Sequence, residues 1–113
     1  MTDDTRSTNE AAQGATQLTD VLAEADAQGF TREFDVAGDA GALRCPQCST
    51  LSEAGEFDRS WSRRLEGASD PADMLHVSAI TCPACGARGV FISPFGPAAS
   101  ASQAAVLRAL PEP

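Results

Sequence analysis

The sequence predicts a small α+β domain closed by a metal ion, with a short antiparallel sheet, two Cys-x-x-Cys turns and a helix on each flank. Three observations carry that prediction. All four cysteines lie in two Cys-Pro-x-Cys turns, Cys45-Pro46-Gln47-Cys48 and Cys82-Pro83-Ala84-Cys85, separated by 33 residues. Apolar and polar residues alternate ahead of each turn, and stretches of helical period precede the first alternation and follow the last strand.

Residues 1–16 are polar and lack apolar periodicity, so they read as a disordered acidic tail. From Leu18 the pattern changes: Leu18, Val21, Leu22 and Ala25 recur at helical spacing, Thr16 or Thr19 can cap, and Gly29 stands where a helix would stop. A helix over Gln17–Gln28 is expected. Phe30, Arg32, Phe34 and Val36 then alternate with Thr31, Glu33 and Asp35, and Gly38-Asp39-Ala40-Gly41 turns the chain. A hairpin of Phe30–Val36 with Ala42–Cys45 would deliver the first cysteine pair.

Phe57, Trp61 and Leu65 satisfy both period four and period two, and the Gly67–Pro71 turn that follows favours a strand, with Asp70 as a cap and Pro71 opening a single helical turn. Leu75, Val77, Ala79 and Thr81 alternate into the second cysteine pair, and Val90-Phe91-Ile92 reads as a short buried strand. Ser100 and Gln103 form a capping-box pattern before Val106, Leu107 and Leu110, which predicts a helix over Ala101–Ala109 ended by Pro111. The expected division is a tail over 1–16, one domain over 17–110 and a short tail over 111–113.

A two-residue gap lets one tight turn aim both sulfurs at the same ion while nearby amides point at sulfur and soften its charge. Gly86 suits the positive backbone dihedral that such turns use, whereas Ser49 occupies the matching place in the first turn. Cys45, Cys48, Cys82 and Cys85 are therefore the predicted ligands of one structural Zn2+, with iron as the other metal that four thiolates accept. A chain this short has little core to rely on, and a metal meets that need. The cysteine spacing also suits a metal in a reducing cytoplasm better than a disulfide framework.

Two Cys-Pro-x-Cys turns, each approached by a strand and the second continuing as Cys-Gly, resemble the zinc-ribbon superfamily over Arg32–Ile92. The runs Arg63–Pro71 and Val106–Leu110 are also similar to a group of short, uncharacterised actinobacterial zinc-ribbon proteins. The resemblance implies a fold and a metal site; it transfers no activity, because zinc ribbons serve many processes. Rubredoxins share the ligand spacing, but here tyrosine is absent and Cys48 is followed by Ser49, against an iron electron carrier.

Sixteen acidic residues against eight arginines give a net charge of −8. That excess disfavours attraction to polyphosphate and points to a protein partner. The N-terminus has no apolar stretch of the secretory kind, and the uncharged run Gly89–Leu107 is broken by Pro94, Gly96 and Pro97, so neither a signal nor a membrane span is expected, and a cytoplasmic address follows.

As a strand, Phe57–Leu65 would place Arg59, Trp61 and Arg63 on one face, a candidate binding surface for a base or an acidic peptide, with Arg64 opposite. The simpler reading has Trp61 covering the core and the arginines pairing with carboxylates. His76 is unnecessary to a closed four-cysteine site, and no nucleophile elbow, carboxylate dyad or phosphate-binding loop is present. The sequence therefore predicts a non-catalytic zinc-binding protein that acts as a protein-interaction or regulatory module. A nucleic-acid or RNA-polymerase-associated factor is the alternative.

Overall fold

The computed structural model describes residues 18–65, 74–95 and 99–112. The expected N-terminal tail and the Gly67–Pro71 turn lie outside them. Among the described residues, two helices and seven strands follow in the order α1 (Leu18–Ala27), β1 (Arg32–Glu33), β2 (Asp35–Ala37), β3 (Ala42–Arg44), β4 (Leu51–Glu53), β5 (Asp58–Leu65), β6 (Leu75–Thr81), β7 (Arg88–Pro94) and α2 (Ala101–Ala109), with a 3-10 turn at Ala54–Glu56 after β4.

The strands form two sheets where the sequence pattern predicted one. A four-stranded sheet has the order β1-β7-β6-β5, and a three-stranded sheet the order β2-β3-β4. The predicted continuous strand Phe30–Val36 is divided at Phe34. Before it, Arg32 and Glu33 pair in parallel with Gly89 and Val90; after it, Asp35–Ala37 pair antiparallel with Ala42–Arg44. Alternation continues through the break, so periodicity could not reveal that the chain changes sheets. Close approach explains the first pairing: a Cβ on Gly89 would collide with the Arg32 carbonyl, so β1 can lie this near β7 because position 89 has no side chain.

The four-stranded sheet is covered on both faces. Val77, Ala79 and Val90 point to one side and pack with Val21, Ala25 and Phe30 beneath α1. Ile80 and Phe91 point to the other side and meet Phe34, Leu43, Phe57, Val106 and Leu110. Four consecutive β6 residues, Val77–Ile80, are therefore buried, as a strand covered on both faces requires. Each large apolar side chain removed from water here contributes about 1.5–3 kcal/mol before ordering costs.

Helix α2 begins as the sequence predicts. Ser100 Oγ accepts from the Gln103 amide at 3.1 Å, and the Gln103 side chain accepts from the Ser100 amide at 2.9 Å. The resulting capping box fixes the start of α2, whose Val106 enters the core shared by both sheets. The strand over Phe57–Leu65 also forms, but its register slips between Arg59 and Trp61, leaving Ser60 as an extra residue opposite β6.

Candidate metal centre

Each cysteine pair sits at the tip of an antiparallel hairpin, one from each sheet. In the first, β3 and β4 pair as far as Arg44 opposite Leu51; in the second, β6 and β7 pair as far as Thr81 opposite Arg88. The turns match bond for bond. The Cys45 amide donates to the Thr50 carbonyl at 3.1 Å and the Ser49 amide to the Cys45 carbonyl at 2.9 Å; the Cys82 amide donates to Ala87 at 2.8 Å and the Gly86 amide to Cys82 at 3.0 Å. Strand β4, which the sequence reading omitted, is what makes the two hairpins equivalent.

The hairpins bring all four Sγ atoms within 4.8 Å of one another. Contacts between hairpins are close: Cys45 Sγ lies 3.6 Å from Cys85 Sγ, and Cys48 Sγ lies 4.0 Å from Cys82 Sγ. A tetrahedron with metal–sulfur bonds of about 2.3 Å has edges of about 3.8 Å, so the cluster has the dimensions of a four-thiolate metal site. The donor set fits as well, since four soft sulfurs suit zinc or iron and leave no coordination position open.

Burial is uneven across the cluster. Cys45 and Cys82, the first of each pair, belong to the core between the sheets; Cys48 is half-buried and Cys85 is exposed. An ion held here would therefore crosslink the sheets at the edge of their shared core, with one side of the site towards solvent.

Surrounding groups drive two of the thiols apart. Hydrogen bonds from the Thr50 hydroxyl, then from its amide, lower the Cys48 pKa to about 6, against partial desolvation. For Cys85, the Ala87 amide stabilises the thiolate, but desolvation and the neighbouring sulfurs outweigh it and raise the value to about 12. A cation would reverse the second effect, because its charge makes close thiolates favourable. The Ala84 amide donates to Cys82 Sγ at 3.4 Å, and Gln47 Nε2 reaches across to Cys85 Sγ at 3.8 Å. Thr50 was missed in the sequence, although it stands two residues beyond its knuckle's second cysteine, as Ala87 does.

The predicted surface Arg59, Trp61 and Arg63 does not share one face. The extra residue Ser60 turns Arg59 to the side opposite Trp61, where its Nε and Nη2 donate to Ser78 Oγ at 3.3 and 3.1 Å. Trp61 and Arg63 remain on the α1 side. Trp61 Nε1 donates to Gln28 Oε1 at 2.7 Å, Arg63 pairs with Glu24 at 2.7 Å, and the Arg63 guanidinium also lies over the Trp61 ring. These contacts hold α1 and the Gln28 that follows it against the sheet; Arg63 pairs with a carboxylate, as the simpler sequence reading expected, whereas Arg59 bonds to Ser78 and the Pro111 carbonyl instead.

No helix of the described residues is long and apolar enough to cross a membrane. Comparison with protein-family models, with curated proteins and with solved structures gives no match.

Proposed function

We propose that this chain is a zinc-ribbon protein whose single Zn2+ is structural and whose work is to present a metal-stapled pair of sheets to another protein. The observation that carries the reading is the convergence of two equivalent hairpins, one from each sheet, on sulfurs spaced at tetrahedral distances. Four thiolates complete the coordination sphere, which supports a structural ion over a catalytic one. The exposed Leu51, 55% accessible on β4 beside the first knuckle, and the outer edge of β5, unpaired among the described residues, support a protein partner.

Metal analysis of the purified protein tests the ion, with one zinc per chain expected. A strongly coloured protein would indicate an iron–thiolate site instead. Structural zinc sites contribute about 10 kcal/mol or more to folding. Cys82→Ser, or a strong chelator, should therefore collapse amide-shift dispersion; unchanged dispersion in metal-free protein would defeat the structural role. Affinity capture from the native cell, with and without Leu51→Asp, tests the partner.

A further inference from the structure

The slip in β5 gathers hydrogen-bond donors on the sheet face away from α1. There Arg59 donates to Ser78 through Nε and Nη2, and to the Pro111 carbonyl through Nη1 at 2.9 Å. Those bonds leave part of the guanidinium's donor set unused. Ser78 Oγ, which accepts twice from Arg59, lies 3.4 Å from His76 Nδ1; with the hydroxyl donating there, the neutral imidazole would carry its hydrogen on Nε2. Arg64 stands directly opposite His76 across the β5–β6 pair, its Cζ lying 4.7 Å from the Phe95 ring centroid. Phe95 also meets His76 edge-on, 6.3 Å between centroids, so one aromatic ring holds both groups.

The result is two guanidinium groups and an imidazole N–H in one surface cluster. Glu112 acts on Arg59, and burial, then the charges of Arg59 and Arg64, hold the His76 pKa below its ordinary value. Arg64 is exposed, and Arg59 and His76 are half-buried.

We propose that Arg59, Arg64 and His76 form a binding site for a phosphate dianion, free or as the head of a phosphate monoester. Two fixed positive charges match a dianion, and donors from three side chains suit a tetrahedral oxyanion better than a planar carboxylate.

The test is an NMR titration of the full chain, as purified, with inorganic phosphate above pH ~7, where the dianion predominates, at constant ionic strength balanced with sodium chloride. Saturable shifts of the His76 ring and of the Arg59 and Arg64 Nε resonances are expected. Arg64→Gln should weaken binding about tenfold, the cost of roughly one charge-assisted interaction, with backbone dispersion unchanged. Phenyl phosphate binding more tightly than phosphate would assign the monoester, and equal binding the free ion. Shifts reproduced by acetate, shifts that fail to saturate, or an affinity indifferent to Arg64→Gln would overturn the proposal.

Discussion

Ser49 and Gly86 occupy the same backbone position in the two knuckles, at φ 62° and φ 79°, and Ser49 is the one non-glycine residue at positive φ among the described residues. A left-handed conformation costs a residue bearing a Cβ about 1–2 kcal/mol, partly offset because glycine loses more chain entropy on folding. Ser49→Gly is therefore expected to stabilise the protein by up to about 1 kcal/mol. Gly86→Ala should destabilise by a similar amount through backbone strain alone, since an added Cβ meets nothing within 4 Å. Denaturant midpoints of the two variants, measured with metal in excess, check both signs.

Thr50 bears on the proposed metal site through Cys48. Its hydroxyl and amide favour the thiolate, and outer-sphere partners of this kind are commonly worth about tenfold or more in metal affinity. Thr50→Val, which keeps the amide and removes the hydroxyl, should release metal to a competing chelator at about tenfold lower chelator concentration. An unchanged competition curve would show that the amide is sufficient.

His76 gives stability a pH dependence of defined sign. Burial, then the Arg59 and Arg64 charges, lower its folded pKa below the ordinary 6.5, so the folded state resists a proton that the unfolded chain accepts. The contribution is fully present above the unfolded value and is lost as pH falls through the folded one. Protonation of the thiolates destabilises in the same direction, so the informative quantity is a difference: His76→Gln should unfold with a shallower pH dependence than the parent as pH drops below about 6.5. Parallel curves would remove His76 from the account.

Two kinds of contact hold α1, and their magnitudes differ. The Arg63–Glu24 pair is partly exposed on both sides and should contribute less than about 1 kcal/mol. Val21 is fully buried and should contribute about 1.5–3 kcal/mol. Val21→Ala is thus expected to lower the unfolding midpoint more than Glu24→Gln does, and high salt should weaken the parent's advantage over Glu24→Gln alone.

The site was more legible in the sequence than the fold around it. Cys45, Cys48, Cys82 and Cys85 are legible because the chemistry needs those residue types at that spacing, and α2 because Ser100 and Gln103 encode its first turn locally. Where neighbours decide, the pattern fails. Phe34 keeps its place in the alternation while its strand crosses to another sheet, a consequence of the space over Gly89 and not of anything near Phe34 in sequence. Likewise, nothing in Arg59-Ser60-Trp61 marks Ser60 as the extra residue, and counting by twos put Arg59 beside Trp61 when the slip put it beside Ser78.

The pairing of Arg44 with Leu51 and of Thr81 with Arg88 means that each knuckle closes through contacts only a few residues apart in the chain. Short loops close quickly, whereas joining the two sheets must wait for distant segments to meet. If the four thiolates hold an ion as proposed, one captured by either hairpin would keep coordination positions for the other, and the slow step of assembly would become a second chelation event. The refolding rate should then rise with free metal concentration until the first capture saturates, and metal supply would be a kinetic variable for this chain as well as a thermodynamic one.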